Sequence, residues 1–262
     1  MIEFKQLCVK GGETLLLENI TFAIEGKGVH GVLGPKGAVK SALAGVLLGE
    51  YAPASGELLW NESPAEADER DILSRKQKIG YMPTDLSAYR DMTLLEVMEF
   101  VGSAKRVESE RLFRQSMEAL RLVELEAYAA CLVDRLNRGN ARRFAIALAL
   151  IGGPELLILD EPTSGLGVTA AEELRAIIEL LGTKKCILLF TRFPNEVETL
   201  CTDFLMLSKG KQILFDTVER VLDKLRREEN GKLTLEEAFL TLTEPAPRVE
   251  EAEKQKRRGD MR

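Results

Sequence analysis

Short runs of apolar residues, Leu-Leu-Ile-Leu at 156–159 and Ile-Leu-Leu-Phe at 187–190, alternate with helix-length periodic segments. A strand with no polar face belongs inside a sheet covered on both sides. This pattern therefore restricts the chain to an α/β fold with a largely parallel sheet under helices. The first part reads differently: residues 2–9, 15–24 and 57–60 have the look of antiparallel edge strands bounded by glycine turns such as Gly11-Gly12, which predicts an accessory β layer. From about 85 to 153 strand signals vanish, and 94–101, 111–123 and 141–151 carry apolar residues at helical spacing, which predicts an inserted helical lobe. After Thr191 the pattern predicts a helix near Glu196, a hairpin turning at Lys209-Gly210-Lys211, and a helix over 235–242. Residues 244–262 hold Pro245 and Pro247 and then dense mixed charge, and read as a disordered tail.

Composition narrows the class further. A chain of 262 residues that is 45% hydrophobic and 30% charged suits one sizeable α/β domain with a smaller lobe, and excludes a disulfide miniprotein, a collagen-like chain or a low-complexity tail. The longest apolar run, 144–151, is cut by Gly152, Gly153 and Pro154. It falls far short of the roughly 20 residues that span a bilayer. The opening residues alternate apolar and polar side chains and lack the regions of a signal peptide. Cys8, Cys131, Cys186 and Cys201 form no CxxC pair, which fits reduced thiols in a cytoplasmic protein. A net charge of −6 gives no broad attraction to nucleic acid or anionic lipid, so no nucleic-acid partner is expected.

Two segments carry chemistry. An apolar strand ending at Leu33 runs into Gly34, Pro35, Lys36, Gly37, Ala38, Val39, Lys40 and Ser41, with Ala42 inside the helix that follows over 41–48. Small residues there let backbone N–H groups converge on phosphate at a helix N-terminus, while Lys40 reaches terminal phosphates and the Ser41 hydroxyl meets a magnesium ion. The pattern GxxxxGK[ST] fails at Val39. If that position needs positive φ or close approach to phosphate, valine costs roughly 1 to 3 kcal/mol, about one to two decades in affinity. The plain alternative is a strand-to-helix turn without a ligand. The second segment is the apolar run that ends in Asp160, Glu161, Pro162, Thr163, Ser164, Gly165 and Leu166. Acids beyond the carboxyl end of a parallel strand can serve a ligand, with Asp160 holding magnesium and Glu161 orienting or deprotonating an attacking water.

Together the loop at Gly34, Gly80-Tyr81-Met82-Pro83, residues 136–140 before a helix, LLILDEPTSGL, and LLFTR resemble the ATP-binding cassette of ABC transporters in order and spacing. The resemblance covers roughly 1–225, with the helical subdomain at about 85–153; residues 226–243 read as a helical extension, like the tail of cassettes serving ABC-2-type exporters. It implies a P-loop (RecA-like) core with an antiparallel β subdomain and an inserted helical subdomain. It also implies ATP and magnesium as cofactors, a second cassette as partner in a homo- or heterodimer, and a transmembrane permease subunit. A cytoplasmic location, peripheral on the inner face of the cell membrane, follows from the same resemblance. A coupling helix from the membrane subunit is expected on the surface from Thr84 to Glu96.

The departures from that family are as informative as the match. By alignment the adenine-stacking aromatic is Gly11, the loop glycine is Val39, and the magnesium-sensing glutamine is Thr84. The signature is Leu136, Asn137, Arg138, Gly139 and Asn140, so the serine that meets the opposite γ-phosphate is Asn137 and a close-packed glycine is Arg138. The aspartate after SGL is Gly167, and the switch histidine is Arg192. These changes touch both halves of a composite site. Losing one positioned polar group typically costs about 10² to 10⁴ in rate, so little or no hydrolysis by the isolated protein is expected. Arg192 either pairs with Glu161 or Asp160 or is a solvated loop residue; a further alternative makes it a cis cation for a γ-phosphate. His30 reads as structural, and the cluster Arg135, Arg138, Arg142 and Arg143 as a solvated face at a helix start. The competing functional readings are a non-catalytic scaffold or regulatory module and an ordinary active transporter ATPase.

Overall fold

Burial alternates along β1 (Ile2–Gly11), with Ile2, Phe4, Leu7 and Val9 inward. It pairs antiparallel with β2 (Thr14–Ile24) around Gly12, whose φ of +64° suits the tight turn. Phe4 stacks on Phe22 with ring centroids 4.4 Å apart. The apolar β3 (Gly28–Leu33) follows and leads to α1 (Lys40–Leu47). Then come β4 (Pro53–Trp60), the short β5 (Ser63–Pro64), α2 (Glu69–Lys78) and β6 (Ile79–Tyr81). Helices α3 (Leu94–Ala104), α4 (Ser109–Leu122) and α5 (Arg138–Leu150) lie between β6 and β7 (Leu156–Asp160). The chain continues through α6 (Val168–Gly182), β8 (Cys186–Thr191), α7 (Pro194–Leu200), β9 (Asp203–Ser208) and β10 (Lys211–Thr217). Last are α8 (Val218–Glu228) and α9 (Leu235–Thr243). This computed structural model describes residues 1–35, 40–65, 68–228 and 234–243. The tail predicted at 244–262 and the loop residues Lys36, Gly37, Ala38 and Val39 lie outside the described residues.

Among the described residues the strands form one ten-stranded sheet in the order β5-β4-β1-β2-β10-β9-β3-β8-β7-β6. The antiparallel layer is therefore an extension of the main sheet, joined where Lys211 of β10 pairs parallel with Glu18 of β2. Strands β9, β3, β8, β7 and β6 run parallel, with Leu33 beside Thr191 and Asp160 beside Phe190 in register. That register gathers Gly34, Glu161 and Arg192 at one carboxyl edge, where parallel sheets place ligands. One core packs α3, α4, α5 and α6 onto one sheet face; a second fills the space between α1 and the antiparallel strands.

Three elements depart from the sequence expectation. Helix α2 was hidden because Arg75 is its only buried residue. Its signal was electrostatic: the Asp68 side chain caps the first turn beside Glu69 and Asp71, and Arg75, Lys76 and Lys78 sit at its end. Helix α5 begins at Arg138, three residues before the predicted start, because the Asn137 side chain accepts from the Asn140 N–H at 2.8 Å. Helix α8 begins at Val218, ahead of the helical extension read over 226–243.

Candidate nucleotide-binding site

Lys40 opens α1 at the end of the loop after β3, with its side chain only 10% exposed. Its ammonium donates to the Gly34 carbonyl at 3.0 Å and to Glu161 Oε1 at 2.7 Å. Glu161 reaches it because the chain leaves β7 through a left-handed residue, φ +47° at Glu161, whose N–H donates to the Phe190 carbonyl. The other carboxylate oxygen, Oε2, is buried without a hydrogen bond and faces Arg192 Nε at 3.8 Å. Arg192 is 41% exposed, donates from Nη2 to Ser164 Oγ at 3.3 Å and lies over the Phe193 ring. The carboxylate thus sits between two cations, and the nearer one is the loop lysine. Sequence reasoning considered Arg192 as the partner; the contact with Lys40 spans 121 residues and leaves no local trace.

Burial raises the Asp160 pKa, with Glu161 adding to the effect and Lys40 and Arg142 opposing it. Gly34 donates its N–H to the Thr191 carbonyl, Pro35 is half-buried, Ser41 is exposed and Ala42 is buried in α1. The exposed Ser41 hydroxyl and the Asp160 carboxylate are oxygen donors of the kind magnesium takes, and Glu161 Oε2 is an unsatisfied acceptor. The described residues therefore fit a magnesium nucleotide, provided Lys40 exchanges its carboxylate for phosphate. At Gly11 a Cβ would lie 2.9 Å from Leu16 Cδ1, so Leu16 already fills the space beside the position of the stacking aromatic.

The signature-equivalent segment folds onto its own chain. Asn137 caps α5, with Leu136 before it and Gly139 and Asn140 in its first turn. Arg138 donates from Nη1 to the carbonyl of Gly165 at 2.9 Å. With Thr84, Arg142 and Ser164 it lines a cleft of about 440 Å³. The basic cluster is a solvated face only in part, with Arg135 and Arg138 exposed and Arg142 and Arg143 half-buried. Arg143, 12% exposed, binds Glu124 and Glu173 at 2.6 Å each, and Arg142 holds a buried Nη1 without a partner. A further residue escaped sequence reasoning: Glu196, fully buried in α7, accepts from Thr163 Oγ1 and, at 2.5 Å, from Thr191 Oγ1. It ties the loop after β7 to the end of β8 and so fixes Glu161 relative to Arg192. Its only sequence signal is an acid two residues after the helix-opening Pro194.

The sequence matches the ABC transporter family over residues 17–164. The chain belongs to the ABC transporter family. An uncharacterized ABC transporter ATP-binding protein of Methanocaldococcus jannaschii is 30% identical over 257 residues, covering 95% of this cassette and 92% of the relative. The Nod factor export ATP-binding protein I of Cupriavidus metallidurans is 30% identical over 213 residues, 81% of this cassette and 69% of that protein. Among solved structures, a dimeric ATP-binding cassette in a post-hydrolysis state bound to ADP and Pi superposes with a TM-score of 0.72 at 23% identity, over 83% of this cassette and 99% of that chain. The cassette is thus an ATP-binding subunit of an ABC transporter, with export-type homologues. Among its described residues no helix is long and apolar enough to cross a membrane.

Proposed function

We propose that this cassette serves a membrane exporter as a nucleotide-binding subunit with weakened or absent ATP hydrolysis. The observation that carries the reading is Arg192 facing Glu161 Oε2 at 3.8 Å, a cation that remains at this carboxylate when Lys40 turns to phosphate. A carboxylate serves as a general base when it is free to reach the attacking water, and a guanidinium held beside it competes for that oxygen. Bound MgATP supplies the phosphoanhydride to be cleaved and the cation that neutralises its charge. Lys40 and Ser41 would hold phosphate and magnesium, and Asp160 would hold the magnesium through water. Lys40 would exchange Glu161 for phosphate, and Arg192 would remain the counter-cation of that carboxylate where a switch histidine would stand. Arg138, bonded to Gly165, places a guanidinium where a partner's triphosphate would approach. A second cassette and a transmembrane permease complete the assembly, with this subunit peripheral on the inner membrane face and the surface from Thr84 to Glu96 receiving the permease.

Equilibrium binding of a fluorescent ATP analogue to the purified chain tests the reading. Saturable binding that is lost in Lys40→Ala is the expected result. Absence of binding at cellular ATP concentrations would overturn it in favour of a purely scaffolding module.

A further inference from the structure

The cleft of about 440 Å³ between the end of β6, the first turns of α5 and the loop after β7 is lined by two guanidinium groups. They belong to Arg138 and Arg142, four residues apart on α5 and therefore on one face of that helix. Like charges at this spacing destabilise a helix. Arg143 shows the ordinary remedy, with a carboxylate at 2.6 Å from each of its terminal nitrogens. Neither Arg138 nor Arg142 has an ion pair among the described residues. Arg138 gives Nη1 to the Gly165 carbonyl at 2.9 Å, a contact that fixes the group without cancelling its charge. Arg142 is half-buried, and its Nη1 lies buried with no hydrogen-bond partner.

Burial lowers the Arg142 pKa and the charge of Arg138 lowers it further, while Asp160 opposes both. A guanidinium nevertheless keeps its proton in a protein. It cannot relieve the cost of burial by neutralising itself, so an anion from outside is what completes the group.

The remaining polar groups of the cleft select the kind of anion. Thr84 brings a hydroxyl from the loop after β6, and Ser164 brings another from the loop after β7, its Oγ accepting from Arg192 Nη2 at 3.3 Å. Asp85, the acid on the wall, is exposed and engaged by its own loop, accepting from the Ser87 N–H at 2.8 Å and from Ser87 Oγ at 2.7 Å. Donors from three separate elements thus surround one space. A planar carboxylate matches one guanidinium fork, whereas a tetrahedral oxyanion presents oxygens in several directions and can meet two forks and a hydroxyl together.

We infer that this cleft binds a free tetrahedral oxyanion, inorganic phosphate, through Arg142 and Arg138 of a single chain, with Thr84 and Ser164 completing the site. It is distinct from the loop after β3, and it forms whether or not that loop holds nucleotide.

Calorimetric titration of inorganic phosphate into the nucleotide-free full chain, at an ionic strength fixed with chloride, tests the site. Saturable binding is expected, and it should persist in Lys40→Ala, which removes the cation of the other phosphate-binding loop. Arg142→Gln should weaken it about tenfold or more, the loss of one charge-assisted hydrogen bond. Ala141→Glu keeps both arginines but supplies a carboxylate from the cleft wall, and should abolish phosphate binding; this variant decides the matter even if Arg142→Gln fails to fold. Absence of saturable binding overturns the inference. So does binding that Lys40→Ala abolishes, which places the anion in the loop after β3, or binding that Ala141→Glu leaves unaltered.

Discussion

If Glu161 is held by its own chain, Lys40 and Glu161 must be thermodynamically coupled in the nucleotide-free protein. At 2.7 Å the attraction is about 6 kcal/mol at an effective dielectric of 20. Desolvation of both groups offsets much of that. Breaking a fully buried pair costs about 3 to 5 kcal/mol and an exposed one less than about 1. With side chains 10% and 24% exposed the pair lies nearer the buried limit, but Glu161 keeps Arg192 and Lys40 keeps the Gly34 carbonyl. A coupling energy of about 2 kcal/mol follows. Arg192 at 3.8 Å and 41% exposure should couple to Glu161 by less than about 1 kcal/mol. The assay is a double-mutant cycle of Lys40→Met and Glu161→Gln by urea denaturation without nucleotide, with Arg192→Ala measured against Glu161→Gln alongside. Each variant that removes the Lys40 pair should lower Tm by about 4 to 8 °C. A Lys40–Glu161 coupling below about 0.5 kcal/mol, or a larger one for Arg192, would refute the assignment of the lysine as principal counter-charge.

Stability should also fall as pH rises through the alkaline range. The folded His30 pKa of about 9 exceeds the free value of 6.5, so its contribution is complete below about 6.5 and lost as pH passes 9. The shift corresponds to about 3 kcal/mol; denaturation at pH 6.5 and 9.5 measures it, and His30→Gln should flatten the difference. Asn137→Ala should cost about 1 kcal/mol by uncapping α5, while Asn137→Ser retains most of it; chemical denaturation separates the two. Thr93→Ala should cost a similar amount, read the same way, because Thr93 and Glu96 form a reciprocal capping box at α3.

The strands of the parallel sheet were legible because Leu156–Asp160 and Cys186–Thr191 have no polar face to confuse the reading. Helix α2 was not, since it buries one arginine and is held by caps and charge rather than an apolar stripe. Motif order named the candidate residues, and the structure brings Gly34, Lys40, Glu161 and Arg192 together, but how they pair was not readable. Lys40 meets Glu161 only through strand register and a left-handed φ, and Arg138 reaches Gly165 only because that glycine also turns left-handed, at φ +77°. The His30–Asp203 contact joins positions 173 residues apart and depends on β3 lying beside β9.

The proposal of weakened hydrolysis is tested most directly by magnesium-dependent phosphate release from the cassette assembled with its membrane partner, compared with the same assembly carrying Glu161→Gln in this chain. Our account predicts that the substitution leaves the rate nearly unchanged, because this carboxylate contributes little turnover. Robust hydrolysis abolished by Glu161→Gln would contradict it.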